Sequence, residues 1–329
     1  MVIGDLGGIM RQGISVVIPV YGSEKTIAPL CEELKQLFQN ELSDTEYEII
    51  LVNDCSPDHV AAVLSQIAMA NPRIRVYTFI RNFGQHNATL FGIRQANYSI
   101  TITMDDDGQH NPADIPHLVN TLRKSKERIV YAYPQEENRG AFRSWASRFI
   151  KLCMNRLLGV RGATSIASFR CFDTRLRDMF ADYSGSDVFI DALLSWGGPS
   201  ISIPTQLRNR QEGESGYTLR KLIRHSMNLV TSFSIVPLRF ACLCGLVLTF
   251  LGLILLLIVG VRFFYVGREA PGFILLFSSL VTFSGIQLLT LGVFGEYIGR
   301  MYMRQMHRPQ YVLSSSNNQG KDVPDEQDI

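Results

Sequence analysis

The first hundred residues alternate short apolar runs with amphipathic stretches. Continuous β-branched runs are typical of buried parallel strands, whereas apolar residues spaced three and four apart predict helices. The predicted strands cover residues 14–21, 48–56, 74–80 and 99–107, and the predicted helices cover 27–38, 60–70 and 87–96. Strand–helix alternation of this kind predicts an α/β fold with a doubly wound, mostly parallel sheet.

Polar clusters follow three of the predicted strands, at residues 53–58, 81–86 and 105–111. Ligands bind beyond the carboxyl ends of the strands in doubly wound sheets, because the loops that leave those ends form a crevice. The clusters therefore mark the candidate site, and Asp54 lies in the first of them.

The third cluster begins with Asp105, Asp106 and Asp107, directly after an apolar strand. Carboxylates crowded in this way repel one another unless a cation lies between them. If strand geometry continues through the motif, Asp105 and Asp107 face the same side. Hard oxygen ligands suit Mg²⁺ or Mn²⁺, and such ions usually also hold substrate phosphates. A solvated acidic turn is the alternative, and Asp54 at the same edge favours the cation site.

The last third of the chain is strongly apolar. Residues 240–261 and 271–294 carry no charge, and each run is long enough for a membrane helix. Their short link predicts a hairpin within 240–295, with both ends on one side; two buried core helices are the alternative. The flanking basic residues are Arg220, Lys221, Arg224, Arg239, Arg300, Arg304 and Arg308. This bias predicts a two-pass protein of the inner (cytoplasmic) membrane, with its catalytic part in the cytoplasm.

Two further segments are basic and amphipathic. One is the juxtamembrane segment 218–239, whose apolar stripe lies within 218–235, and the other is 143–158. Helices of this kind lie on anionic lipid surfaces, although 143–158 is equally consistent with packing on the domain. The remaining domains are an N-terminal extension (1–13), a catalytic domain (14–217), a cytoplasmic segment (296–311) and a disordered tail (312–329).

Composition narrows the function classes. The 329 residues carry a net charge of +2, which gives no support for a nucleic-acid partner. The six cysteines form no Cys-x-x-Cys pair and are expected to be reduced thiols. Neither a dinucleotide fingerprint after a strand, nor a Walker loop, nor a Gly-x-Ser-x-Gly elbow is present in the sequence.

An ordered set of motifs resembles the polyprenyl-phosphate glycosyltransferases of glycosyltransferase family 2. The motifs are VVIPVYGSE (16–24), VNDCSPD (52–58), RNFGQHNA (81–88), DDDGQHNP (105–112), SFR (168–170), GESGY (213–217) and GEYIGR (295–300). The resemblance covers roughly residues 14–311. It implies a GT-A fold and inverting sugar transfer from a nucleotide-sugar donor to undecaprenyl or dolichyl phosphate. It also implies a role in cell-envelope glycan or lipid modification, such as that of lipopolysaccharide, and a homo-oligomer.

The resemblance also implies roles for single residues. Those expected at the nucleotide sugar are Pro19, Tyr21, Glu24, Asp54, Asp105 and Asp106. An extra residue in YGSE makes Ser23 a rival for Glu24. Asp105, Asp107 and Gln109 match the pattern that holds Mg²⁺ or Mn²⁺ on the diphosphate.

Asp107 and Arg210 are the expected catalytic residues, and Arg210 with Ser215 would hold the lipid phosphate. A guanidinium suits this task because it binds phosphate oxygens bidentately.

Three positions depart from the family pattern. Thr164 replaces an aspartate proposed as general base, residues 131–134 lack an arginine that Arg139 could replace, and Gly216 replaces a lysine. A phosphate acceptor is already anionic near pH 7, so it needs no strong base. The departures leave two alternatives open: a membrane glycosyltransferase with another acceptor, and a degenerate, non-catalytic membrane scaffold.

Overall fold

The computed structural model describes residues 10–134, 167–185, 188–208, 272–306 and 309–317, together with isolated helical positions between 238 and 265. The chain divides into two compact units. The first contains residues 1–218 and 309–329, and the second contains residues 219–308.

The first unit begins with alternating strands and helices, as the hydrophobic pattern predicts. The strands are β1 (Arg11–Val20), β2 (Tyr47–Asn53), β3 (Ile74–Phe79) and β4 (Tyr98–Thr103). The helices are α1 (Ile27–Asn40), α2 (Val60–Ala70), α3 (Gln85–Gln95) and α4 (Ile115–Lys124). β1 starts inside the predicted N-terminal extension. β2 and β4 end earlier than predicted, because the polar residues after them leave the sheet as loops.

The later elements complete a single sheet. They are β5 (Ile129–Pro134), β6 (Arg170–Asp173), α5 (Ile190–Leu194), β7 (Ile201–Thr205) and β8 (Leu313–Asn317). The strand order is β7-β5-β6-β4-β1-β2-β3-β8. β1 is parallel to β2 and β4, β2 to β3, and β5 to β7. β6 and β8 run antiparallel to their neighbours. The predicted α/β class with a mostly parallel sheet is confirmed.

β1 is buried on both faces, which explains its unbroken apolar run. Val16 and Ile18 belong to one apolar cluster, which includes Leu34 of α1, and Val17 belongs to another on the α3 side. A Cβ added at Gly92 of α3 would lie 2.3 Å from Val17 Cγ1. α3 therefore packs very closely on β1.

The expected disorder of residues 312–329 is wrong for residues 313–317. These residues form β8, which pairs antiparallel with β3, from Phe79 opposite Leu313 to Val76 opposite Asn317. Local composition predicts disorder in this polar stretch, but the unpaired edge of β3 offers it a ladder of backbone hydrogen bonds. The rest of the tail lies outside the described residues.

The second unit contains α6 (Gly272–Gln305), a helix of 34 residues. Large apolar side chains are exposed along it, among them Leu276, Leu280, Leu288, Leu289 and Leu291. Over the described part of the chain, none of the helices combines the length and the apolar character that a membrane crossing requires. The predicted amphipathic segments 143–158 and 218–235 lie outside the described residues.

Candidate active site

The loops after β1 and β4 meet at one edge of the sheet. The two strands are parallel neighbours, with Val17 opposite Thr103. The Tyr21 backbone N–H donates to Asp106 Oδ2 over 2.8 Å, and Thr26 Oγ1 donates to the Asp106 backbone oxygen over 2.6 Å. The acidic loop is thus tied to the end of the central strand, where ligands bind in doubly wound sheets.

Asp106 differs from the carboxylates on either side because it faces the loop after β1. Burial raises the pKa of Asp106 to about 6, while the hydrogen bond from the Tyr21 N–H opposes the rise and the charge of Asp105 adds to it. Any cation at this loop therefore depends mainly on the other two carboxylates.

Asp105 is held by side chains from two other elements. Gln85 Nε2, at the start of α3, donates to Asp105 Oδ1 over 2.6 Å, and Ser168 Oγ donates to Asp105 Oδ2 over 2.5 Å. β4 ends at Thr103, so strand alternation does not continue to Asp107. The loop itself sets the positions of these carboxylates.

Asp107 and Gln109 belong to one tight turn. Asp107 Oδ1 accepts the Gln109 N–H over 3.1 Å. Between them, Gly108 has a φ of +73°, a left-handed conformation that glycine adopts without a Cβ clash. The Gln109 backbone oxygen accepts the N–H of Arg208 over 2.9 Å, which connects the turn to the segment after β7.

His110 lies between the acidic loop and Phe169. Its ring stacks on Phe169 with centroids 5.0 Å apart, and its Nδ1 accepts the Asp105 N–H over 3.1 Å. Burial lowers the pKa of His110, and the charges of Asp105 and Asp107 oppose this. Both carboxylates therefore lie near one neutral imidazole, so the loop brings Asp105 and Asp107 together.

Asp54 holds the loop that starts α3. Its side chain is almost fully buried, and its two oxygens accept the N–H groups of Phe83 and Gly84, each over 2.7 Å. Gly84 has a φ of +96°, which allows the turn. Burial raises the pKa of Asp54 and the two hydrogen bonds oppose the rise. A contact between Asp54 and the base or ribose stays a prediction.

The remaining nucleotide-side residues lie around the loop after β1. Tyr21 is exposed, and Pro19 lines a cavity next to Asp105. Glu24 Oε2 accepts the N–H of His59 over 3.2 Å, which joins this loop to the loop after β2. Ser23, the rival of Glu24, is buried, whereas Glu24 is exposed. Exposure favours Glu24 for contact with a ligand.

A cavity of about 240 Å³ lies beside Asp105. Its polar lining comes from α3, from the acidic loop, from β4, from β6 with Ser168 just before it, and from α5, and Phe189 supplies an apolar wall. The polar lining residues are Gln85, His86, Thr89, Thr103, Asp105, Ser168, Arg170 and Asp191. Polar groups that converge on a concave site are the usual signature of a small-molecule pocket.

A buried ion pair forms one wall of this cavity. Arg170 Nη1 lies 2.6 Å from Asp191 Oδ1, and their side chains are only 4% and 3% exposed. Burial raises the pKa of Asp191, while the charge of Arg170 and a hydrogen bond from Tyr131 oppose the rise. Sequence reasoning did not assign Asp191. The available signal was a charged residue inside each apolar run, in SFRCF and VFIDALL, because buried charges need partners.

Two predicted residues, Arg210 and Ser215, lie outside the described residues. The described segment ends at Arg208, whose guanidinium donates to Glu33 and Asn111 over 2.6 Å each. The GESGY segment therefore follows a residue that is fixed beside the acidic loop.

The chain is similar to known glycosyltransferases. The family model described as "Glycosyl transferase family 2" matches residues 15–184. The chain is 32% identical over 304 residues to an undecaprenyl-phosphate 4-deoxy-4-formamido-L-arabinose transferase of Sodalis glossinidius (91% of this chain and 92% of the relative). It is 30% identical to the uncharacterized glycosyltransferase YkcC of Bacillus subtilis (92% and 93%). S. aureus TarS 1–349 in complex with UDP-GlcNAc gives a TM-score of 0.46 at 18% identity (67% of this chain and 66% of TarS).

The α/β sheet, the family match and the match to the relatives define the chain as a glycosyltransferase. The chain belongs to glycosyltransferase family 2. The resemblance predicted from its motifs is thereby confirmed.

Proposed function

We propose that the protein transfers a sugar from a nucleotide-sugar donor to a polyprenyl phosphate, with inversion at the anomeric carbon. The observation that carries the proposal is the acidic turn at the sheet edge, next to a polar cavity that could hold the sugar. The relative from Sodalis glossinidius is named for undecaprenyl phosphate and an arabinose derivative, which supports the acceptor class.

The donor nucleotide would bind on the Tyr21 side of the acidic loop. The exposed Tyr21 and Glu24 flank this side, and Asp54 fixes the loop 83–84 across from them. The sugar would extend past Asp105 into the cavity lined by Arg170 and Asp191. A nucleoside, a diphosphate and a sugar then follow one another along the edge of the sheet.

Asp105, Asp107 and Gln109 would hold a divalent cation on the diphosphate. Among the described residues, no cluster of three His, Cys, Asp or Glu side chains forms a ready-made cage. This set fits Mg²⁺ or Mn²⁺, since such ions are commonly held by one or two carboxylates together with substrate phosphates. When bound, the cation neutralises charge on the leaving diphosphate.

The transfer is a single displacement. An oxygen of the lipid phosphate attacks the anomeric carbon and forms the new C–O bond, while the bond to the donor diphosphate breaks and its electron pair leaves with the nucleoside diphosphate. A polyprenyl phosphate is anionic at neutral pH and attacks without losing a proton to a base. Thr164, in place of an aspartate, is compatible with this chemistry.

The acceptor would arrive from the membrane. The exposed apolar side chains of α6 support a second unit that lies in lipid. The two-pass arrangement at the cytoplasmic face is the prediction from the sequence and is part of this proposal. Arg210 and Ser215 would receive the lipid phosphate, and Arg208, two residues before Arg210, is bonded to the acidic turn. Holding the acceptor in the membrane plane supplies proximity to the donor.

The test is a transfer assay on membranes that contain the protein. The membranes are incubated with a panel of labelled nucleotide sugars, and the lipids are extracted. We expect label in the lipid fraction with one donor class, and its loss in Asp107→Ala but not in Asp44→Ala, an exposed carboxylate away from the site. Nucleotide-sugar binding without any transfer would instead favour a non-catalytic scaffold.

A further inference from the structure

We propose that Gln310 is a positioning residue for the donor cavity, acting from the segment that follows α6. The inference rests on the proposed function, because it concerns the cavity beside Asp105. Gln310 bonds Arg94 near one end of α3, whereas Gln85 at the other end bonds the acidic loop, and no sequence motif singles Gln310 out.

Gln310 is buried, and its amide is fully engaged. Its Nε2 donates to the backbone oxygens of Tyr183 and Gly185, over 2.9 and 2.8 Å. Its Oε1 accepts from Arg94 Nη1 over 2.9 Å. One side chain therefore bonds two carbonyl oxygens of the loop 183–185 and the guanidinium of Arg94.

Arg94, at the end of α3, binds the same loop. Its Nη2 donates to the backbone oxygens of Ala181 and Tyr183, over 3.1 and 2.8 Å. Its Nη1 also donates to the Tyr311 hydroxyl over 3.2 Å. The segment after α6, the end of α3 and residues 181–185 are thus joined in one hydrogen-bond network.

Gln310 binds two elements that also line the cavity or continue into its lining: the loop 181–185 and α3. The chain after Gly185 continues to Phe189, which meets the His86 ring edge-on at 5.0 Å, and to Asp191 in the buried ion pair. α3 carries Arg94 near one end, and Gln85 and His86 at the end that lines the cavity. Replacement of Gln310 should therefore shift two parts of the cavity lining, residues 189–191 and the start of α3, although Gln310 itself does not line the cavity.

Other contacts besides the Gln310 amide hold the segment after α6 on the sheet. Tyr311 stacks on Phe79 with centroids 5.5 Å apart, and β8 pairs with β3. Replacement of Gln310 should leave these contacts in place and release only the loop and α3. This separates a positioning role from general loss of the fold.

The experiment compares Gln310→Ala and Gln310→Leu with Ser314→Ala, an exposed position on the same segment. It uses the full chain in membranes, and the donor is the nucleotide sugar that gives product with the unsubstituted protein. We expect the donor KM to rise about tenfold in both Gln310 variants, with the acceptor KM unchanged. Hydrogen exchange should speed up in residues 181–189 but not in β1 or β2. Ser314→Ala should match the unsubstituted protein.

Unchanged donor KM in both Gln310 variants, despite faster exchange of residues 181–189, would overturn the proposal. So would a fall in kcat alone, because that indicates a smaller folded fraction. If no donor in the panel gives product, the proposed function has failed instead. The exchange measurement still reports whether Gln310 holds the loop.

Discussion

Removal of Asp191 is the perturbation whose magnitude the structure defines best. Asp191→Ala leaves the Arg170 guanidinium without its carboxylate, in a place where the two side chains are only 4% and 3% exposed. The Tyr131 hydroxyl loses its acceptor as well. Breaking a buried pair from one side typically costs about 3–5 kcal/mol, because the remaining charge stays desolvated.

This cost converts to a measurable shift. For a domain of 150–250 residues, each kcal/mol of lost stability lowers Tm by roughly 2–4 °C. The Tm of Asp191→Ala should therefore be about 6–20 °C lower than that of the unsubstituted protein. Thermal unfolding of the full chain in detergent, followed by tryptophan fluorescence, is a suitable assay because Trp196 lies just after α5. Asp182→Ala, an exposed carboxylate, is the matched control and should shift Tm by only about 1–2 °C.

A double variant sharpens the test. Arg170→Met combined with Asp191→Leu removes both charges, and such replacements are often close to neutral. The double variant should therefore be at least about 2 kcal/mol more stable than the sum of the effects of the single variants Arg170→Met and Asp191→Leu. An Asp191→Ala shift no larger than that of Asp182→Ala, or strict additivity in the double variant, would refute the reasoning.

Three further predictions concern the acidic loop and its neighbours. Asp107→Ala should abolish transfer while membrane insertion and the bonds of Asp105 persist, and near-normal turnover with metal present would contradict its role. Chelation with EDTA should stop transfer and added Mg²⁺ or Mn²⁺ should restore it; full activity after exhaustive chelation would exclude a metal requirement. Burial lowers the pKa of His110 below its usual 6.5, so the unfolded chain takes up this proton first and the contribution of His110 to stability falls as the pH drops below about 6.5. His110→Asn, which keeps an acceptor for the Asp105 N–H, should lose this contribution in unfolding curves recorded from pH 8 to 5, and an unchanged slope would count against it.

The central part of the fold follows from the sequence because local pattern and burial agree there. β1 is apolar on both faces, and α1 carries a single apolar stripe. β8 could not be predicted in this way. Its sequence, LSSSN, has no apolar alternation, and it forms because β3 offers an open edge that is far away in the sequence.

In the candidate site, too, some residues can be found from the local sequence, whereas others depend on contacts between distant parts of the chain. Asp105 and Asp107 are recognisable because they lie close together in the sequence and follow an apolar strand, and Gln109 is implied by the resemblance to the family motif. The Arg170–Asp191 pair joins residues 21 positions apart, and the Arg94–Gln310 bond joins residues 216 positions apart. Only the packing of α5 beside β6 and the return of the chain after α6 bring these partners together.

The nature of the acceptor tests the account most directly. Using the donor that labels lipid, the protein is offered undecaprenyl phosphate or undecaprenol, which differ only in the phosphate. We predict a sugar phosphodiester from the phosphate and no product from the alcohol, since a hydroxyl acceptor requires a general base. Equal glycosylation of the alcohol, or no product from the phosphate, would contradict the claim that the acceptor supplies its own anionic oxygen.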